Sequence, residues 1–395
     1  MASHLLTNIG ELLTNDPTLG DESLVGRLTD AALVIEDGLV VWVGAAVRGP
    51  ACDSVEDVEG RAVLPGFVDS HTHLVFAGDR SDEFEARMAG HRYDGGGIRR
   101  TVAATNAASR IELEAATNAR LAALRRGGVT TVEMKSGYSL TVDGEARLVS
   151  IARSLTDEVT FLGAHTLPDE FAGDRDGYVA LVAGPMLEAC DDARWVDVFC
   201  DRGAFSVDEA RHVLEAGRAA EKQLRLHGNQ LGESGGVGLA VEMDCASVDH
   251  CTHVSDDELV LLASSSTVAT LLPSAEFSTK SPYPDARRFL DAGVTVALAT
   301  DCNPGTSYVT SMSFVIALAV REMRMTVDEA VWSATRGGAA ALRRSDVGYL
   351  GVGARADLVV LDAPRAAHVA YRPGSDLVAR VYRAGEELTF RHPLQ

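Results

Sequence analysis

The chain has 395 residues, 46% of them hydrophobic and 24% charged, with a mean hydropathy of +0.03; this is the composition of a globular protein with a large core, not of a disordered one. Its formal net charge of −21 repels phosphate backbones and anionic lipid surfaces, which argues against nucleic acid and membranes as partners and leaves small molecules. Six scattered cysteines with no CxxC pair read as reduced thiols, and the N-terminus lacks the basic region and apolar run of a leader, so the expected compartment is the cytoplasm.

Near the start, residues 32–44, ALVIEDGLVVWVG, are two β-like runs about Asp37–Gly38, a two-residue hairpin signal. From residue 62 onward, short apolar segments alternate with longer helical patterns. Eight strand candidates follow in order: AVLPGFVDSHTH, GVTTVEMKSGY, VTFLGAHTLP, WVDVFCDRGAF, LRLHGNQ, CASVDHCTHV, TVATLLPSAE and VTVALATDCNPG. The helical stretches between them carry start and stop marks, such as Ser206 with Glu209 three residues on, and Gly127–Gly128 after Arg126. Eightfold alternation predicts an α/β fold, a closed parallel (β/α)8 TIM-like barrel. Past residue 345, GYLGVGARADLVVLDAP and DLVARVYRAGEEL again read as strand, glycine-containing turn and strand. The two ends, 1–62 and 345–395, are therefore expected to build a small β-sandwich domain, with the barrel at 63–344 inserted between them.

Barrel enzymes place their chemistry at the C-terminal ends of the strands. Those ends carry His71 and His73 on the first strand, His165 on the third, His227 on the fifth, His250 on the sixth and Asp301 on the eighth. A strand has a period of two, so His71 and His73 share a face. Paired neutral imidazoles make poor core filling and good ligands for a divalent metal. A lone strand-end histidine such as His165 fits a satisfied core position equally well, and His4, His212, His253, His368 and His392 have no such placement or no partner. Three histidines, His71, His73 and His227, with Asp301 leave an open position for water, as a catalytic site needs. The fourth strand, WVDVFC, offers no lysine to bridge a second ion, so a single ion is expected; Lys135 on the second strand reads as a substrate or loop contact. Hydrolysis is the implied chemistry, with Asp301 taking a proton from water and His250 orienting that water or steadying an oxyanion.

The motifs PGFVDSHTH, LHGNQLGESGG, SVDHCTH, ATDCNPGTS and GVGARADLVVLD resemble the amidohydrolase superfamily across nearly the full chain. HTHLVFAGDRSDEFEARMAG, TTVEMKSGYSL and FLGAHTLP resemble, within it, the enzymes of histidine degradation that open an imidazolone ring. The resemblance implies hydrolysis of the ring amide of 4-imidazolone-5-propanoate to N-formimidoyl-L-glutamate, one zinc or iron ion per subunit, and a homodimer. It implies His71, His73, His227 and Asp301 as metal ligands and Arg80 as the grip on the propionate carboxylate, which a guanidinium holds through two hydrogen bonds. It further implies substrate or product contacts by Tyr93, Tyr138, His165, Asn303, Gly305 and Thr306.

The chain departs from the family pattern twice. Gln230 stands where some members carry glutamate; it can bond a ring nitrogen but cannot shuttle a proton, so the acid–base work falls to Asp301 and His250. A deaminase of a purine, pyrimidine or related ring is the competing reading, and it needs that glutamate. Ser139 replaces a glycine, which matters only if the backbone there has positive φ.

Overall fold

The computed structural model describes residues 2–90 and 97–390. Phe67–Asp69, Val129–Lys135, Glu158–Ala164, Trp195–Cys200, Leu226–Gly228, Ser247–His250, Val268–Leu271 and Val296–Leu298 are its eight barrel strands. They lie side by side in chain order, with Gln223–Leu224 as an extra short piece against the fourth. Every residue of Val129–Lys135 and of Glu158–Ala164 is buried, as in a parallel sheet covered on both faces.

Beyond the strand ends, Thr72 bridges Cys302 in parallel. The Asp301 amide donates to the His71 carbonyl at 3.0 Å and the His73 amide to the Cys302 carbonyl at 3.0 Å. The link between the first and eighth strands is thus made by the residues expected to carry the chemistry, and it sets His71, His73 and Asp301 side by side in a nearly closed parallel barrel.

By packing, Met1–Asp69, Ala122–Thr131 and Thr310–Gln395 form one compact unit, and Ser70–Leu121 and Val132–Val309 another. In the first unit, strands from both termini join one eight-stranded sheet. Its hairpin pairs Arg27–Glu36 with Leu39–Ala45, and Asp37 (φ 51°) and Gly38 (φ 77°) make the turn. Its core gathers Leu6, Ile9, Leu12, Leu33, Val63, Leu358 and Val360.

The first predicted strand divides. Ala62–Pro65 belongs to this terminal sheet, paired with Ser3–Leu13 and Leu358–Leu361, and the barrel strand starts at Phe67. Gly66 makes the division possible, because a Cβ there would stand 2.3 Å from the Thr130 hydroxyl. Ser206 and Glu209 form the expected reciprocal cap of Val207–Ala219, and Gly128 (φ 93°) follows Arg110–Arg126 as its stop. No helix among the described residues is long and apolar enough to cross a membrane.

Candidate metal centre

All four predicted ligands lie in the second unit and converge. His71, His73, His227 and Asp301 are each at most 3% exposed. Asp301 Oδ1 stands 3.5 Å from Nε2 of His71 and 3.5 Å from Nε2 of His73, and the Nε2 atoms of His73 and His227 are 3.4 Å apart. Donor atoms held about 2.1 Å from a common centre at tetrahedral angles lie about 3.4 Å from one another. Each of these three separations matches that spacing, and the donors of His71, His73 and Asp301, like those of His71, His227 and His250, lie within 4.8 Å of one another.

The far side of two rings fixes which nitrogen faces the centre. His71 Nδ1 lies 2.7 Å from Asp249 Oδ2, and His227 Nδ1 lies 3.0 Å from Asp197 Oδ1. A carboxylate can only accept, so each bond places the proton on Nδ1 and leaves Nε2 with its lone pair, the arrangement metal-bound imidazoles favour. His71 Nε2 has no hydrogen-bond partner although it is buried. Burial, with the nearby cations, holds His71 and His73 neutral by pushing their pKa values well down. Burial would raise Asp249, yet Arg225 and His71 outweigh it and keep that carboxyl well below its usual range. Asp301, without such a cation, is pushed well above its usual range by burial. Three imidazoles and one carboxylate, with a buried His71 Nε2 that has no hydrogen-bond partner, fit a divalent cation.

Around this centre, Asp301 Oδ2 accepts from the Thr306 hydroxyl at 3.2 Å. The Asn303 amide nitrogen donates to the Asp301 carbonyl at 2.7 Å and to Thr306 Oγ1 at 2.8 Å, while its oxygen takes the amides of Gly305 and Thr306, both at 2.8 Å. Asn303 therefore shapes the loop with its whole side chain. His250 (φ 80°) and Asp301 (φ 52°) both occupy the left-handed region, uncommon for side chains of this size and characteristic of functional sites. The His250 ring lies 5.5 Å from that of His227, and its Nδ1 is buried without a partner. The His165 ring stacks on His73 at 5.3 Å, with Tyr138 at 5.1 Å from it, and burial lowers the His165 pKa to about 3.

A cleft of about 150 Å³ opens over these groups, and its lining includes Arg80, Tyr138, His165, Gln230, Gly305 and Thr306. Arg80 donates through Nε and Nη2 to Glu83 at 2.7–3.1 Å. Its Nη1 packs on Gly305, where a Cβ would come within 2.4 Å, so a side chain there would displace the end of Arg80. The Gln230 backbone amide donates to Asp201 Oδ2 at 2.7 Å. Ser139 does not have positive φ; Leu140 (φ 62°) takes that turn, so the missing glycine costs nothing. Tyr93 lies outside the described residues.

Lys135 is no substrate or loop contact. It is fully buried beneath the histidines, paired with Glu133 and Asp197. Asp197, Asp249 and Arg225 were passed over in the sequence, although charged residues inside apolar strands were a legible sign of buried partners.

The description "amidohydrolase family" matches residues 62–388. Proteins named imidazolonepropionase are similar over nearly the whole chain: 59% identical in Streptomyces griseus over 98% of this chain and 100% of that one, and 60% in Salinispora tropica over 98% of each. Among solved structures, a zinc complex of an atrazine chlorohydrolase from Arthrobacter aurescens superposes with a TM-score of 0.72 at 19% identity, covering 98% of this chain and 95% of that one. Guanine deaminase from C. acetobutylicum, with guanine bound, gives 0.72 at 15%, covering 98% and 100%. At such identities the two structures speak for the fold alone.

Proposed function

We infer the reaction from one premise: the chain belongs to the amidohydrolase family. It is a hydrolase of histidine degradation that opens the ring amide of 4-imidazolone-5-propanoate to give N-formimidoyl-L-glutamate. The observation that carries this is identity near 60%, end to end, with proteins named imidazolonepropionase. Two trios that could hold a metal ion support it, His71 with His73 and Asp301 and His71 with His227 and His250.

The residues suited to hold a divalent ion, zinc or iron, are His71, His73, His227 and Asp301. Such an ion supplies Lewis-acid chemistry, acidifying water toward neutral pH and polarising a carbonyl. Asp301 Oδ2 is the atom suited to take the proton of the attacking water, steadied by the Thr306 hydroxyl. His250, with its unpartnered Nδ1, orients that water or the oxyanion. Arg80, on the lining of the cleft, takes the propionate through its guanidinium. Tyr138 and His165 wall the ring, Gln230 bonds a ring nitrogen without moving its proton, and Gly305 and Thr306 meet the other end. Asn303 contributes by holding that loop, and Tyr93 joins the substrate contacts on resemblance alone. In this reading, residues 63–344 are the hydrolase, 1–62 and 345–395 the β-domain, and the protein works as a cytoplasmic homodimer.

The test is the ultraviolet loss of freshly generated imidazolone propionate. Expected is loss that a chelator abolishes and added zinc or iron restores. Metal-loaded protein that leaves the substrate intact refutes the reading.

A further inference from the structure

Below the imidazoles lies a charged cluster that the reaction just described does not use. Glu133 and Lys135 on the second strand, Asp197 on the fourth, Arg225 at the break in the fifth and Asp249 on the sixth are all fully buried. Lys135 Nζ lies 2.8 Å from Asp197 Oδ2, 3.0 Å from Glu133 Oε1 and 3.9 Å from Asp249 Oδ2. Glu133 also accepts from the Thr72 amide at 3.0 Å, between the two strand-end histidines.

The two carboxylates that face the histidines are not equally provided for. Asp249 Oδ2 takes His71 Nδ1 together with Arg225 Nη2 at 3.1 Å, so it keeps a second cation. Asp197 Oδ1 takes both the backbone amide (3.2 Å) and Nδ1 (3.0 Å) of His227. Among the described residues, no other lysine or arginine stands within ion-pair distance of Asp197. A buried carboxylate without a counter-cation is strongly unfavourable, and it is driven to move toward other donors. Such a shift would release the His227 ring from the orientation in which its Nε2 faces His73.

We propose that Lys135 is a positioning residue for the metal centre, its ammonium anchoring Asp197 so that Asp197 in turn fixes the His227 ring. The proposal rests on the metal reading above. It makes Lys135 the buried end of a relay, ammonium to carboxylate to imidazole, whose last atom is a ligand. Losses of this kind in the groups behind metal ligands weaken metal binding about 10- to 100-fold.

The experiment measures zinc affinity by chelator competition on folded protein, and the visible absorption of the cobalt-substituted form. In Lys135→Met, zinc binding is expected to weaken at least tenfold and the cobalt bands to change, since one ligand is no longer held. Affinity within twofold of wild type with an unchanged cobalt spectrum overturns the proposal. So does a lowered melting temperature of the metal-free variant with unchanged affinity, which would make Lys135 merely structural. Should Lys135→Met not fold, Asp197→Asn carries the same test, because the amide keeps an acceptor for His227 and loses the charge that Lys135 anchors. Unchanged affinity there overturns the proposal equally. Wild-type protein that binds neither ion refutes the metal reading itself, a result distinct from failure of the relay.

Discussion

Asp301 joins three functions in one residue: its backbone amide closes the barrel on His71, its Oδ1 faces two imidazoles, and its Oδ2 meets the Thr306 hydroxyl. Asp301→Asn keeps the shape and both heavy-atom positions but removes the charge and the base. Turnover is expected to fall at least about 100-fold, the scale of a lost general base, with circular dichroism unchanged; near-wild-type turnover would remove Asp301 from the mechanism. Arg80 is a different kind of residue, one that binds without reacting. Replacing it with alanine removes charge-assisted bonds worth about 1.5–3 kcal/mol, so KM should rise about 10- to 150-fold while kcat holds. An unchanged KM would place the propionate elsewhere. Asp301 was legible from its place at a strand end, whereas Arg80, outside the strands, was legible only through the family resemblance. Behind them, the charges of Asp197 and Asp249 inside apolar runs were legible but their partners were not, because only the fold brings Asp197 Oδ1 to His227 Nδ1 and Asp249 Oδ2 to His71 Nδ1.

At the scale of elements, the helix Pro273–Thr279 that follows the seventh strand carries a buried acid of its own. Glu276 Oε1 accepts from the Thr252 hydroxyl at 2.7 Å, tying the helix to the turn after His250, and Oε2 is buried with no partner. Burial raises its pKa to about 7. The unfolded chain releases this proton near the ordinary glutamate value, about 4.3, so between these two pH values the folded state holds a proton that the unfolded state does not. Stability must then fall as pH rises through that window and level off above it. Glu276→Gln removes the titration. Its melting temperature relative to wild type is expected to climb from pH 4.5 to 7 and stay flat beyond; a difference independent of pH would show that Glu276 is ionised in the fold throughout. Boundaries show where sequence patterns reach their limit. The cap at Ser206 and the turn at Asp37–Gly38 are local chemistry and were readable, whereas the division at Gly66 depends on Thr130, a residue far along the chain.

At the scale of the whole molecule, the alternation of strand and helix was enough to predict a barrel, because each strand buries both faces and each needs a covering helix. The same sequence carries 57 acidic against 36 basic residues, and this excess acts on the substrate before any single residue does. An imidazolone propionate is an anion near neutral pH, so the field of the protein opposes its approach. The local attraction is modest, because Glu83 already neutralises Arg80. At about 10 mM salt the Debye length is about 30 Å and the full charge is felt at the cleft; at about 150 mM it is about 8 Å and only the nearest groups remain. Screening should thus remove more repulsion than attraction, and kcat/KM should rise with salt across this range, by less than about tenfold. Varying sodium chloride at constant pH and metal loading tests it. A fall with salt would mean that the arginines of the cleft, Arg80 and Arg202 on its lining, outweigh the net charge and draw the substrate in.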